Sequence, residues 1–154
     1  MKRLFSLILI CVLVLSGCAP AGTGSSSPSS AGSSSEGELI TFTDDLGRTV
    51  SLTKPERVAC LIGSFVDLWC LAGGKDALVA AADDTWTSFD LGLGEDVANL
   101  GAVKEPNVEL LLQSKPDLVI ASSNTDAQVA LLDTLEGMGL TVAYFKVSSF
   151  QDYL

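Results

Sequence analysis

The side chains best suited to covalent chemistry are thiols, because the sequence contains four cysteines and no histidine. The lack of histidine removes the usual general base of hydrolases and the commonest transition-metal ligand. Cys60 and Cys70 lie in apolar runs, at a spacing that matches no zinc-binding pattern. We expect both to be small core residues. A disulfide between them stays an open alternative in an exported protein.

Cys18 directly follows a segment with the composition of an export signal. Lys2 and Arg3 form a basic start, and the run from Leu4 to Leu15 is apolar except for Ser6. This run is shorter than the about 20 residues that cross a bilayer, as is typical of a secretory signal. The Leu-Ser-Gly-Cys that ends it resembles the lipobox of bacterial lipoproteins, in which the cysteine thiol accepts a diacylglycerol. We predict a signal peptide over 1–18 and lipidation at Cys18; an ordinary cleaved signal is the alternative.

The remaining chain divides by composition into a linker and one domain. Residues 19–37 are mainly Ser, Gly, Ala, Thr and Pro, which predicts a flexible tether. Residues 38–154 have the length of a single domain. The formal net charge of the whole chain is −10, and loss of Lys2 and Arg3 with the signal makes it more negative. Nucleic acid is therefore not an expected partner, and membrane attachment should come from the lipid.

Short apolar runs alternate with helical patterns through this domain. Such alternation predicts an α/β fold, with a parallel sheet of βαβ units that follows a short β-hairpin. The hairpin is predicted over 39–52, and buried strands over 57–62, 78–82, 118–121 and 141–145, with a very short strand over 100–102. Helices are predicted over 65–72, 107–114 and 126–136, and 83–99 is predicted to be irregular.

Polar and aromatic residues follow several of the predicted strands. They are the segments Gly63-Ser64-Phe65, Asp83-Asp84-Thr85-Trp86 and Ser122-Ser123-Asn124. In parallel sheets ligands gather at the carboxyl ends of the strands, so these segments are predicted to form one rim. An exposed Trp86 would suit stacking on a flat ligand, although it could equally cover the sheet edge.

The last residues have the sequence pattern of a helix start. Ser149 and Asp152 have the spacing of a capping box, with Asp in the place of the usual Glu or Gln. The sequence stops at Leu154, and helices shorter than about 12 residues are marginal on their own. This pattern leads us to expect a truncated polypeptide.

Five segments in order carry a family resemblance: Asp45–Val50, Pro55–Val58, Asn107–Glu109, Lys115–Ile120 and Leu135–Val142. Together they resemble the N-terminal lobe of class III solute-binding proteins of ABC importers, which carry iron-siderophores, haem or cobalamin. The resemblance implies a protein of two α/β lobes joined by a long helix, with the ligand held between them. It implies no catalysis and no cofactor. The second lobe would lie beyond Leu154, so we expect weak or no ligand binding by this chain.

The resemblance also implies roles for individual residues. Glu109 matches the glutamate that docks the lobe onto arginines of the permease; a simple helix-start glutamate is the alternative. Asp67 stands near the place where the family often has Glu, which leaves its role open. The implied ligand contacts are Ser64, Phe65, Asp84, Trp86, Lys104, Ser123 and Asn124. Relatives that bind bare zinc or manganese use histidines in this lobe, so a preformed iron chelate, haem or a corrinoid is the expected ligand.

Two other functions are alternatives: a membrane-anchored α/β surface enzyme, and a surface domain with an interaction role only. The sequence has no P-loop, no G-x-S-x-G elbow and no G-x-G-x-x-G after a strand, which argues against the enzyme. The expected location is the outer face of the cell membrane, held there by the lipid. It would be the cell surface in a Gram-positive host and the periplasm in a Gram-negative one.

Overall fold

A computed structural model of the chain describes residues 37–148, all within the unit Ser35–Leu154. The predicted signal over 1–18, its Cys18, the linker except Gly37, and the helix start after Ser149 lie outside the described residues.

The described chain begins with the predicted hairpin. Strand β1 covers Ile40–Thr43 and strand β2 covers Thr49–Leu52, and the two pair antiparallel. Asp44, in the turn, accepts hydrogen bonds from the backbone N–H groups of Leu46 and Arg48. One buried carboxylate, that of Asp44, therefore stabilises the turn between the two strands.

Five parallel strands form the main sheet, in the order β5-β4-β3-β6-β7. This confirms the predicted α/β class with βαβ connections. The strands are β3 Val58–Cys60, β4 Leu78–Ala81, β5 Ala98–Asn99, β6 Leu118–Ser122 and β7 Val142–Phe145. Strands β3 and β6 are buried along their whole length, as expected of central strands that are covered on both faces.

Helices cover both faces of the sheet. They are α1 Gly63–Leu71, α2 Asp84–Ser88, α3 Val108–Gln113, α4 Asp126–Val129 and α5 Leu132–Gly137, with a 3-10 turn at Lys75–Ala77. Phe65 and Val66 of α1 pack in a cluster with Val58, Cys60 and Ile120. On the other face, the second cluster contains Leu111 of α3, Leu135 of α5 and Tyr144 of β7.

Three sequence-based expectations need correction. The short strand expected at 100–102 is at Ala98–Asn99, because those residues pair with β4 while Leu100 turns into the core. The segment expected to be irregular contains α2. The helix expected over 126–136 is two short helices, α4 and α5. Within residues 37–148 no helix is long and apolar enough to cross a membrane.

The hairpin is fastened to the edge strand of the sheet by Asp44 and Asp45. The N–H of Asp45 donates to the carbonyl of Tyr144 at 2.9 Å, and the N–H of Lys146 donates to Asp45 Oδ2 at 2.8 Å. Arg48 Nε donates to Asp44 Oδ2 at 3.1 Å, and its guanidinium also reaches the carbonyl of Val142. These bonds fasten the hairpin to β7 and to Lys146, which directly follows it.

Candidate functional site

The site begins at the carboxyl ends of the two adjacent strands β3 and β6. After β3 the chain enters α1 on one face of the sheet, and after β6 it enters α4 and α5 on the other. Two neighbouring strands whose connections diverge in this way form a topological switch point, where open α/β sheets bind ligands. The loops here are Leu61 and Ile62 after β3, and Ser123–Thr125 after β6.

Asp84 joins the loop after β4 to the start of α1. Its Oδ1 accepts a hydrogen bond from the N–H of Gly63 at 2.9 Å. The residue before this helix is Ile62, which has no side chain able to cap it. A helix N-terminus carries unpaired N–H groups and a partial positive charge, so the Asp84 carboxylate stabilises α1 from a different segment.

The absence of a side chain at position 63 allows α2 to approach closely. A Cβ added to Gly63 would lie 2.9 Å from the N of Thr85 and 3.0 Å from Cε2 of Phe89. Thr85 itself is 1 % exposed, and its Oγ1 has no hydrogen-bonding partner within residues 37–148. Segments after β3 and β4 are thus packed against each other, as the rim prediction requires.

A buried glutamine links the other loops of the rim. Gln128 is fully buried, and its Nε2 donates to the carbonyls of Leu61 at 2.6 Å and Val103 at 3.0 Å. Its Oε1 accepts from the N–H of Ser122 at 2.7 Å. The Tyr144 hydroxyl donates to the Gln128 carbonyl at 2.6 Å. One residue therefore connects the chain after β3, after β5, at the end of β6 and within β7.

Sequence reasoning did not single out Gln128. Its one signal is position, since Gln128, Leu132 and Leu135 share the spacing of a core-facing helix stripe. A polar residue on such a stripe is buried only when partners are available. Two of its side-chain partners, Leu61 and Val103, come from distant segments.

Most predicted ligand contacts lie at this rim. Ser64 is half-buried in the first turn of α1, and Lys104 is exposed in the loop before α3. Ser123 is half-buried, and the exposed Asn124 lies with its Nδ2 3.5 Å from Ser148 Oγ. Trp86 is 39 % exposed on α2. Hydroxyl, amide and ammonium groups can donate hydrogen bonds to a ligand, and an exposed indole ring can stack on it.

Phe65 lies apart from the other predicted contacts. It is 6 % exposed and belongs to the apolar cluster on the α1 face of the sheet. Its neighbour Ser64 is half-buried, whereas the Phe65 ring is packed in the core.

Glu109 lies in the first turn of α3 and is exposed. The helix start is well fixed: Asn107 Oδ1 accepts from the N–H of Leu110 at 2.9 Å, which confirms the predicted N-cap. The N–H of Asn107 in turn donates to the carbonyl of Leu100 at 2.7 Å. Glu109 is therefore a carboxylate on a rigid support that faces solvent.

Both described cysteines are free thiols. Cys60 is buried in β3, as expected, and Cys70 is half-buried in α1 against the same cluster. Burial raises the pKa of the Cys60 thiol, and it also raises that of Cys70. Both thiols are therefore protonated at neutral pH. Within the described part of the chain, no group of three or more Cys, Asp or Glu residues could hold a metal ion.

The architecture described above is that of one lobe of an α/β binding protein. The solved structure of the petrobactin-binding protein YclQ from Bacillus subtilis has the same fold, with a TM-score of 0.59 and 21% identity, over 71% of this chain and 38% of that one. The chain belongs to the periplasmic binding protein family, whose model matches residues 58–152. This is a family of binding proteins, not of enzymes.

Two curated proteins of Bacillus subtilis (strain 168) are similar in sequence. The Fe(3+)-citrate-binding protein YfmC is 30% identical over 123 residues, which are 78% of this chain and 37% of the relative. The "Probable siderophore-binding lipoprotein YfiY" is 29% identical over 148 residues, which are 92% of this chain and 43% of the relative. The chain thus spans about two fifths of the length of these relatives.

Proposed function

We propose that the chain belongs to the substrate-binding component of an ABC importer that takes up an iron complex, haem or a corrinoid. The observation that carries this proposal is a rigid polar rim at the topological switch point of a lobe from the periplasmic binding protein family. The similarity to an Fe(3+)-citrate-binding protein and to a siderophore-binding lipoprotein supports an iron chelate as cargo.

The ligand contacts we propose are Ser64, Trp86, Lys104, Ser123 and Asn124. Trp86 would stack on the flat part of a chelate or macrocycle, while the hydroxyl and amide groups donate hydrogen bonds. Asp84 contributes mainly by holding Gly63, because its Oδ1 is already engaged there. Phe65 would support Ser64 from the core instead of touching the ligand.

The permease contact we propose is Glu109. An exposed carboxylate in the first turn of a capped helix is held in a fixed position, which suits pairing with an arginine of a partner. The exposed Glu105, four residues earlier in the preceding loop, offers the same charge without that support. It is therefore a matched comparison for Glu109.

The anchor we propose is a lipid on Cys18, which keeps the lobe on the extracytoplasmic face of the membrane. The name of YfiY as a lipoprotein supports this arrangement. The segment 19–37 would allow the lobe to stand off the membrane and reorient.

Uptake in the native host tests the proposal. Deletion of the gene should abolish uptake of one radiolabelled ligand among ferric citrate, ferric siderophores, haem and cobalamin, and the intact gene should restore it. Restoration by the Glu109→Gln variant should be much weaker than by Glu105→Gln. Unchanged uptake of all four ligand classes after deletion would overturn the proposal. Equal restoration by the two variants would remove only the role of Glu109.

A further inference from the structure

The chain that leaves α2 crosses the α1 face of the sheet before it enters β5. It covers residues 89–97, and we call it the α2–β5 segment. Phe89 at its start lies so close to Gly63, the first residue of α1, that a Cβ on the glycine would be 3.0 Å from the Phe89 ring. Leu91 and Leu93 pack against the apolar cluster on the α1 face. The segment therefore begins at the rim and continues away from it.

Backbone pairing does little to hold the middle of this segment. Among the described residues, no N–H or carbonyl of residues 90–93 takes part in a backbone–backbone hydrogen bond. Gly92 has a φ of 54°, a left-handed conformation that neither a strand nor a right-handed helix continues. Backbone groups outside regular elements need partners from side chains or water. The course of the segment therefore depends on side chains.

Lys75 supplies hydrogen bonds to this part of the segment. It belongs to the 3-10 turn after α1, and its Nζ donates to the carbonyl of Leu91 at 2.7 Å and to that of Gly92 at 2.8 Å. An ammonium group has three donors and a full charge, so its bonds to carbonyls are stronger than those between neutral groups. Two successive carbonyls bound to one ammonium fix the direction of the chain at this point.

The turn that carries Lys75 is itself tied to α1. Trp69 Nε1 donates to the carbonyl of Gly74 at 2.6 Å, and the N–H of Gly74 donates to the carbonyl of Trp69 at 2.9 Å. The Trp69 ring packs so closely on Gly74 that a Cβ there would clash with it. Lys75 therefore extends from a rigid support.

Helix α2 is consequently held at both of its ends. At its start, Asp84 accepts the hydrogen bond from the first residue of α1. Shortly after its end, Lys75 holds the chain at Leu91. A helix of five residues cannot keep its orientation alone. Trp86, which is 39 % exposed in the middle of α2, therefore takes its direction from these two attachments.

We propose that Lys75 is a positioning residue for the rim. By holding Leu91 and Gly92 it fixes the chain after α2, and thereby the direction in which Trp86 presents its indole ring. The consequence for ligand binding rests on the proposed function, whereas the link between Lys75 and Trp86 does not.

Fluorine NMR of the full chain labelled with 5-fluorotryptophan tests this link without a ligand. The chain has two tryptophans and gives two resonances, of which Trp86→Phe identifies that of Trp86. Lys75→Met removes the ammonium and keeps a side chain of similar length. It should shift the Trp86 resonance and roughly halve its transverse relaxation rate, because the ring gains fast motion. Lys75→Arg, which retains the charge and the donors, should restore most of the original signal.

Lys54→Met is the matched control, because Lys54 is also exposed but lies beyond β2. It removes the same charge and should leave the Trp86 resonance unchanged. Equal responses to the two substitutions, or an unchanged Trp86 resonance in Lys75→Met, would overturn the proposal. Widespread shifts in the amide resonances of β6 and β7 would also overturn it, since Lys75 would then support the whole domain and not Trp86 in particular.

Uptake in the native host tests the consequence for the ligand. In a strain that lacks the gene, restoration with Lys75→Met should raise the ligand concentration for half-maximal uptake by about threefold or more. The maximal rate should stay unchanged, because Glu109 on α3 is not altered. An unchanged half-maximal concentration would overturn the role of Lys75 in ligand binding. Unchanged uptake of every ligand class after gene deletion would instead overturn the proposed function, and the fluorine result would still stand.

Discussion

The side-chain Nε2 of Gln128 lies 2.6 Å from the carbonyl oxygen of Leu61, to which it donates a hydrogen bond. Leu61 directly follows the central strand β3, and Gln128 belongs to the helix that follows β6. The bond therefore crosses the switch point beneath the proposed ligand contacts. Because both groups are buried, water cannot replace either partner.

Replacement of this glutamine by leucine should destabilise the domain strongly. Gln128→Leu leaves the carbonyls of Leu61 and Val103 and the N–H of Ser122 without their partner. Buried polar groups that lose their partner typically cost about 1–3 kcal/mol, so we expect a loss of about 2–4 kcal/mol in the free energy of unfolding. Urea denaturation monitored by circular dichroism measures it.

Gln113 provides the matched control, because it is exposed near the end of α3. Gln113→Leu makes the same chemical change where water is available, and should alter stability by less than about 0.5 kcal/mol. Similar losses in the two variants would mean that Gln128 acts through helix propensity and not through its buried bonds.

A methyl group at position 63 should disturb α2. Gly63→Ala places a Cβ against the backbone N of Thr85 and the ring of Phe89. The Thr85 backbone cannot move aside by a rotamer change, as a flexible side chain could. We expect a loss of about 1–3 kcal/mol in stability and a shifted amide resonance at position 63, because the bond to Asp84 is stretched. Thermal denaturation and a nitrogen–proton correlation spectrum measure the two effects.

Gly137→Ala is the comparison for that change. Position 137 is also helical, but a Cβ there meets nothing within 4 Å. Helix propensity then favours alanine, so this variant should be neutral or slightly more stable. Destabilisation by both substitutions would show that the close approach at Gly63 is not the cause.

Asp44 should make the domain sensitive to acid. Burial raises the pKa of its carboxyl, but hydrogen bonds from the backbone and side chain of Arg48 and from the N–H of Tyr144 outweigh burial and lower the pKa below its usual value. The unfolded chain has an Asp pKa of about 3.9, and the folded domain gains stability from Asp44 at pH values above it. That gain is lost as the pH falls through the lower pKa of Asp44 in the folded domain. Urea midpoints measured from neutral pH down to about pH 3 should fall accordingly.

Asp44→Asn removes that titration and its charge. We expect lower stability at neutral pH, by about 2–3 kcal/mol, together with a smaller further loss on acidification. The exposed Asp133→Asn should retain both the stability and the acid dependence of the original chain. An unchanged acid dependence in Asp44→Asn would assign the effect to other carboxylates.

The sheet was predictable because its strands are short apolar runs, which propensity and burial favour together. The strands β3, β6 and β7 lie where the sequence predicts them, because their apolar runs are short and are rich in Val, Ile and Ala. Helix α2 was missed because Asp84 to Ser88 has no apolar stripe. It is held instead by tertiary contacts, with Thr85 buried and Asp84 bonded to Gly63.

The site was only partly predictable for a similar reason. The rule that ligands gather at strand ends singled out the segments of Ser64, Trp86, Ser123 and Asn124 from position alone, and their contact with a ligand stays a prediction. It could not separate Ser64 from Phe65, because adjacent residues on a helix face different sides and the direction depends on where the helix starts. That start is Gly63, two residues before the predicted one. The link through Gln128 depends on partners from distant segments, which no local pattern contains.

Ligand binding by this chain should be weak. The proposed ligand contacts all lie on one lobe, whereas ligand pockets bury most of the surface of the molecule that they bind. Trp69→Phe leaves Trp86 as the only tryptophan, so its fluorescence reports on the rim alone. Titration with ferric citrate, a ferric siderophore, haem and cobalamin should give dissociation constants weaker than micromolar. The Trp86→Phe variant, which retains Trp69, corrects for absorption of light by the coloured ligands. Micromolar or tighter binding of any of them would mean that this lobe encloses its ligand without a second one.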